Sequence, residues 1–190
     1  FPYLQGQIFV QYAISLGPEW RRRIFTDPPR TTEQIIHHEK YFDSRDHPTT
    51  LVLAAAPGQT PPAHGAFRVP SPPAGYDLAE TNNLGELGTR LVFEEKLGAG
   101  IANDAAQGWD GDLYVVYRGP GGRWWFCWES AWDSERDASE FVGAWITLWR
   151  HNTGDRRLGD LTAPDQEFRA VPWTVRLHRV GPRVVTSWGN

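Results

Sequence analysis

Two adjacent histidines and a glutamate, His37, His38 and Glu39, stand in the stretch TTEQIIHHEKYFD at residues 31–43 and raise the question of a zinc site. Thr31 can cap a helix there, Gln34 can complete a capping box, and Ile35 and Ile36 supply burial, so the stretch reads as a short helix of two to three turns. Neighbouring helical side chains diverge by ~100°, whereas zinc-binding helices use pairs four residues apart. Glu33 with His37, and Gln34 with His38, have that spacing but the wrong partner, and two ligands leave a tetrahedral site half empty. The expectation is that one histidine packs or hydrogen-bonds and the other faces water. His47, His64, His151 and His178 are scattered singly, and His-Glu-x-x-His, Cys-x-x-Cys and Gly-x-Ser-x-Gly are all absent. Asp155, Asp160 and Asp165 crowd one loop and Asp110 and Asp112 flank Gly111, yet neither group follows a calcium-loop ladder, and acidic turn residues ordinarily cap backbone. No catalytic residue, no metal ligand and no cofactor is assigned.

The bulk composition narrows the classes further. The chain of 190 residues can bury a real core as one domain or two closely packed lobes. A net charge of −4 argues against a nucleic-acid groove, because phosphate binding needs clustered cations and only Arg21, Arg22 and Arg23 form a local run. The longest wholly apolar run, Leu51 to Ala56, is far too short for a membrane span. The single cysteine, Cys127, excludes an internal disulfide and reads as a small buried hydrophobe. Ten Trp, nine Phe and six Tyr demand either an aromatic interior or an aromatic binding surface. No methionine occurs, and the chain opens on a helical pattern, which suggests a processed or truncated product.

Helical spacing runs from Tyr3 to Leu16, with Gly17 closing it, and a second helix follows Pro18 until Asp27-Pro28-Pro29 stops it. TTLVLAAA at 49–56 reads as a strand. Pro57, Pro61, Pro62, Pro70, Pro72 and Pro73 then mark an extended crossover. Asn82 or Asn83 is expected to cap a helix ending near Leu97, with a shorter helical piece at 100–107. Alternation on either side of Gly-Pro-Gly-Gly at 119–122 predicts a hairpin, and Ala138, Phe141, Val142, Trp145, Leu148 and Trp149 lie on one face of the helix that follows. A last hairpin turns at Gly181-Pro182. The fold class is therefore α+β: N-terminal helices, then a β-β-α-β-β antiparallel sheet with a covering amphipathic helix. The expected segments are 1–56, helical with one strand; 57–83, the proline-rich crossover; and 84–190, a helix plus the antiparallel lobe. Trp124, Trp125, Trp128 and Trp132 could stack a ligand ring, but core between sheet and helix is the expected use.

TTEQIIHHEKYF, LGELGTRLVF, AAQGWDGDLYVVY and WDSERDASEF occur in an order that resembles the C-terminal half of a family of exported bacterial and archaeal zinc-metallopeptidase-like proteins. GWDGD before a hairpin and WDSxxDAxEF are its most specific parts. In such proteins the zinc helix lies upstream of the region resembling Phe1 to Leu16, so the resemblance carries no catalytic role to any position here. His38 stands where that family usually has proline. The resemblance implies an extracytoplasmic, non-catalytic accessory piece that packs on another polypeptide, either the upstream half of a precursor or a larger complex. Interface or ligand contact is assigned to Trp109, Asp110, Asp112 and Trp132, and to Phe1 and Tyr3. The alternatives are the C-terminal half of an active zinc peptidase, and an aromatic-lined domain for a small ligand.

Overall fold

The structure, a computed structural model, describes residues 2–51, 72 and 74–190. Four helices open it: α1 (Pro2–Ser15), α2 (Pro18–Thr26), α3 (Thr32–Ile36) and α4 (Glu39–Phe42). They enclose a small core of their own, in which Phe9, Tyr41 and Phe42 meet ring against ring at 4.7–5.2 Å. The rest of the described chain is one antiparallel sheet under three helices. Its strands are β1 (Asp77–Asn82), β2 (Trp109–Arg118), β3 (Trp124–Trp132), β4 (Asp165–Ala170), β5 (Trp173–Val180) and β6 (Arg183–Gly189), in the order β1-β2-β3-β6-β5-β4. The helices are α5 (Gly85–Leu97), α6 (Ala99–Ala106) and α7 (Glu135–Thr153). The α+β class and the covering helix thus stand as the periodicity predicts.

The main core lies between α7 and one face of the sheet. The apolar stripe of α7 buries Ala138, Phe141, Val142, Trp145 and Leu148, while Ser134 accepts from the Asp137 N–H at its N-terminus. Phe141 sits at the centre, with ring centroids 4.8 Å from Trp132, 5.1 Å from Trp128 and 5.8 Å from Phe93 of α5. Trp128 and Trp132 come from alternate positions of β3, so one strand face and one face of α7 supply most of these rings, and α5 adds Phe93.

The structure corrects four details. Residues 77–82, expected in the crossover, form the edge strand β1; all six are exposed, so no alternation marks them, and pairing with Arg118 through Tyr114 of β2 imposes the strand. Residues 165–167, expected as the end of a polar loop over 152–167, instead open the opposite edge strand β4 (Asp165–Ala170), where only Phe168 and Ala170 point toward apolar neighbours. The helix expected across residues 31–43 breaks at His37, whose φ of −106° and ψ of 78° leave the helical region. Neither Asn82 nor Asn83 caps α5, because a strand supplies that cap instead, as described below. The strand expected at 49–56 falls mostly outside the described residues; Thr49, Thr50 and Leu51 are not in a strand.

Phe141 is fully buried and meets four other large rings, so Phe141→Ala combines lost transfer free energy with a cavity that the surrounding indoles cannot close. We expect a loss of about 3–5 kcal/mol in urea unfolding. A loss below ~1 kcal/mol, the range of substitutions outside a core, would contradict this packing.

Candidate functional site

The motif GWDGD folds into a hub rather than a surface. Asp112 is 7% exposed, and its carboxylate accepts four hydrogen bonds: from the N–H groups of Leu84 and Gly85 at 2.8 and 2.9 Å, and from the indole Nε1–H of Trp109 and of Trp128, each at 3.0 Å. It replaces the side-chain cap that α5 lacks, at a helix end where the dipole favours an anion. Gly85 has φ +69°, and a Cβ there would lie 2.8 Å from Thr32 Oγ1. Gly111, at the bulge of β2, lets the Thr49 carbonyl approach where any side chain would collide with it. Asp110 is taken by the same segment, since Thr49 Oγ1 donates to its Oδ2 at 2.6 Å.

A second polar cluster ties α3 and α4 to the sheet lobe. Lys40 Nζ lies 2.6 Å from Glu33 Oε1, 2.9 Å from Asp133 Oδ2 and 3.1 Å from Asp46 Oδ2. His37 Nε2 lies 2.8 Å from Glu86 Oε1 of α5, and Thr32 Oγ1 accepts from the Leu87 N–H at 3.2 Å. Burial pushes the Glu33 carboxyl up to about 7 against the opposing pull of Lys40. Burial also pulls the Lys40 ammonium down, but the three carboxylates outweigh it and hold the group above its usual range. The hydrogen bond to Glu86 raises His37 above its ordinary value, with burial acting the other way. His38 packs its ring 4.3 Å from that of Tyr12. The two histidines therefore serve packing and hydrogen bonding on different neighbours, and neither faces water fully.

Other reactive types are engaged locally. Glu129 is buried on the sheet face away from α7 and pairs with Arg183; burial raises its carboxyl, and Arg183 opposes that shift. Burial pushes the Cys127 thiol far up, which disfavours a thiolate. Asp155 accepts from the Arg157 N–H and Asp160 from the Thr162 N–H, both at 2.9 Å, while Asp165 pairs with His178. These carboxylates cap turns and bond side chains. Among the described residues no group of three His, Cys, Asp or Glu side chains converges as a metal site would require.

The candidate contacts separate into two kinds. Trp109 and Trp132 are 1% and 2% exposed, and Asp112 is buried with them, so these three build the core and present nothing to a partner. Their motif looked like a surface only because its spacing cannot reveal that all three point under α5 and α7. Asp110 is half-buried and spent on Thr49. Phe1 lies outside the described residues. Tyr3 is different: it is 91% exposed on α1, a helix with no charged side chain. Leu4, Ile8, Val10 and Ile14 are exposed beside it, and the opposite side of α1 buries Phe9 and Ala13. Sequence spacing weighed Glu33 only against His37 and did not single out Lys40 or Glu86; the observed pairings span elements that only the tertiary fold brings together. Among the described residues no helix is long and apolar enough to cross a membrane.

Two outcomes follow from these clusters. Asp112→Asn turns one acceptor oxygen into a donor facing two N–H groups, and we expect a loss of about 3 kcal/mol or more, with a fall in Tm of roughly 10 °C; a Tm within about 2 °C of the parent would contradict the hub. His37 and Glu33 both hold their protons more tightly folded than unfolded. The stability each adds is complete below its ordinary value, 6.5 and 4.5, and is lost as pH rises through the raised folded value, about 7 for Glu33. Unfolding free energy should therefore fall as pH climbs from about 5 to 8, by at most about 1.4 kcal/mol per pH unit for each group. His37→Gln should flatten the upper part of that slope, and an unchanged slope in the variant would rule out His37 as its source.

Searches of the curated proteins and of the solved structures found no match. Residues 74–189 match the family described as a domain of unknown function (DUF8575), from just before β1 to the end of β6. The match takes in all six strands and α5 to α7 and spans well over half of the chain, so this protein belongs to the DUF8575 family.

Proposed function

We propose that the protein is a non-catalytic module that works by packing on another polypeptide through helix α1. The observation that carries this reading is the outward face of α1. At 100° per residue, Val10, Tyr3, Ile14, Leu4 and Ile8 occupy an arc of about 160°, interrupted only by the uncharged Gln7, Gln11 and Ser15. Leu16 after α1 and Phe25 on α2 are also exposed, at 41% and 80%. A helix apolar on both sides belongs in an interior, and the four-helix core buries only one side. An arc this wide suits a groove that wraps the helix, as in helix-in-groove recognition, better than the narrow seam two copies would share. The occupant is accordingly a different polypeptide that offers a neutral, apolar groove.

The resemblance to the C-terminal half of exported zinc-metallopeptidase-like proteins supports the same reading and gives the partner a chemical identity: a polypeptide carrying a His-Glu-x-x-His helix. On that resemblance the module acts outside the cytoplasm. The partner polypeptide would supply the catalysis, and this chain the supporting surface.

A photoreactive amino acid placed at position 3, 8 or 14 in the native host tests the proposal. We expect one adduct, with one polypeptide, mapping to a contiguous apolar groove, and none from the exposed control position 136. The double substitution Ile8→Asp, Ile14→Asp should abolish the adduct from position 3 while leaving Tm nearly unchanged. Adducts only with copies of this same chain, or no enrichment over the control, would refute docking through α1. An adduct whose partner lacks His-Glu-x-x-His would keep the docking and overturn the peptidase relationship.

A further inference from the structure

The four N-terminal helices and the sheet lobe have separate apolar cores, and among the described residues no core cluster is shared between them. What crosses the seam is polar. Thr32 Oγ1 accepts from the Leu87 N–H, the Thr49 N–H and hydroxyl donate to Asp110, His37 meets Glu86, and Lys40 meets Asp133. Two side chains that can gain or lose a proton sit in this seam: Glu33 of α3 is 1% exposed, and His37, just after α3, is half-buried.

The charges around them do not balance. Glu33 comes from α3, Glu39 and Lys40 from α4, Asp46 from the turn after it, Glu86 from α5 and Asp133 from the turn before α7. Helix α1, which also packs on α3, carries no charge. Five carboxylates thus face one permanent cation, Lys40, and one that depends on a proton, His37. Glu33 Oε2 and Glu86 Oε2 are moreover buried without a hydrogen-bond partner. An ionised oxygen so placed is costly, and a proton removes the charge without needing room for a ligand.

We propose that the seam is a proton-operated latch: protonation of Glu33 and His37 holds the four N-terminal helices on the lobe, and loss of both protons lets them undock as one unit while each part keeps its own core. Burial of Glu33 and the hydrogen bond from His37 to Glu86 make both groups hold their protons more tightly when docked. Once water reaches them they return toward their ordinary values, 4.5 and 6.5. The docking they favour is therefore complete below those values and fades as pH rises through the docked ones, about 7 for Glu33. Undocking leaves the Asp112 hub intact, since all four of its donors belong to the lobe. The latch does not depend on what α1 binds.

Amide hydrogen exchange of the full chain in low urea tests this. The Leu87 and Thr49 N–H groups, bonded across the seam, should share one opening constant, larger than that of the β3–β6 ladder and nearly insensitive to urea, because undocking exposes little apolar surface. Corrected for chemical exchange rates, that constant should rise about tenfold between roughly pH 6 and 8 from Glu33 alone, and further with His37. Glu33→Gln, neutral throughout that range, should remove the tenfold rise, and His37→Gln the remainder; the second variant and the parent still decide the matter where the first fails to fold. Seam amides that open only together with the ladder, an opening constant unmoved by pH, or variants that keep the full pH dependence of the parent would each overturn the latch.

Discussion

A single buried carboxylate holds three elements in register. Asp112 takes N–H donors from the start of α5, from Trp109 on its own strand and from Trp128 on β3, so moving any one of them strands a charge in the interior. Ionised oxygens make stronger hydrogen bonds than neutral ones, and the positive end of α5 adds to them. Because α5 is pinned at its first turn, Phe93 is delivered to Phe141, and α7 can lie flat on the sheet with its aromatic stripe downward. The large rings supply most of the burial. The carboxylate decides where they meet.

The four N-terminal helices are attached in a different way. They have an apolar core of their own and meet the lobe through hydrogen bonds and ion pairs: Lys40 with Asp133, His37 with Glu86, Thr32 with the Leu87 N–H, and Thr49 with Asp110. The lobe's half of each contact lies within residues 74–189, and the helices' half lies outside that matched region. Polar contacts of this kind contribute little net stability, since desolvation offsets attraction, but they tolerate only one relative placement.

Indoles are spent unevenly. Trp109, Trp128 and Trp132 satisfy their N–H groups on Asp112 and Ser130, whereas Trp145 and Trp149 keep buried N–H groups without a partner. Trp128 and Trp145 both line the same apolar pocket, so a bonded indole and an unbonded one stand side by side.

Periodicity carried much of this in the sequence itself. The 2-residue alternation of β3, the helical stripe of α7, the caps at Thr31 and Ser134 and the breaks at Gly17 and Pro28 are local signals, because each depends on neighbours a few residues away. The edge strands left no such trace: β1 is exposed on both faces and β4 nearly so, and each is a strand only because a neighbour offers it a ladder. The same division governs the candidate sites. Sequence alone determined that no metal-ligand spacing exists and that aromatic residues must be housed somewhere, since composition and spacing are properties of the chain. Only the tertiary structure decided that Trp109, Asp112 and Trp132 turn inward while Tyr3 turns outward, and that Glu86 answers His37 across 49 residues. Orientation and long-range pairing arise from packing between elements, and no local pattern encodes which partner a side chain will meet.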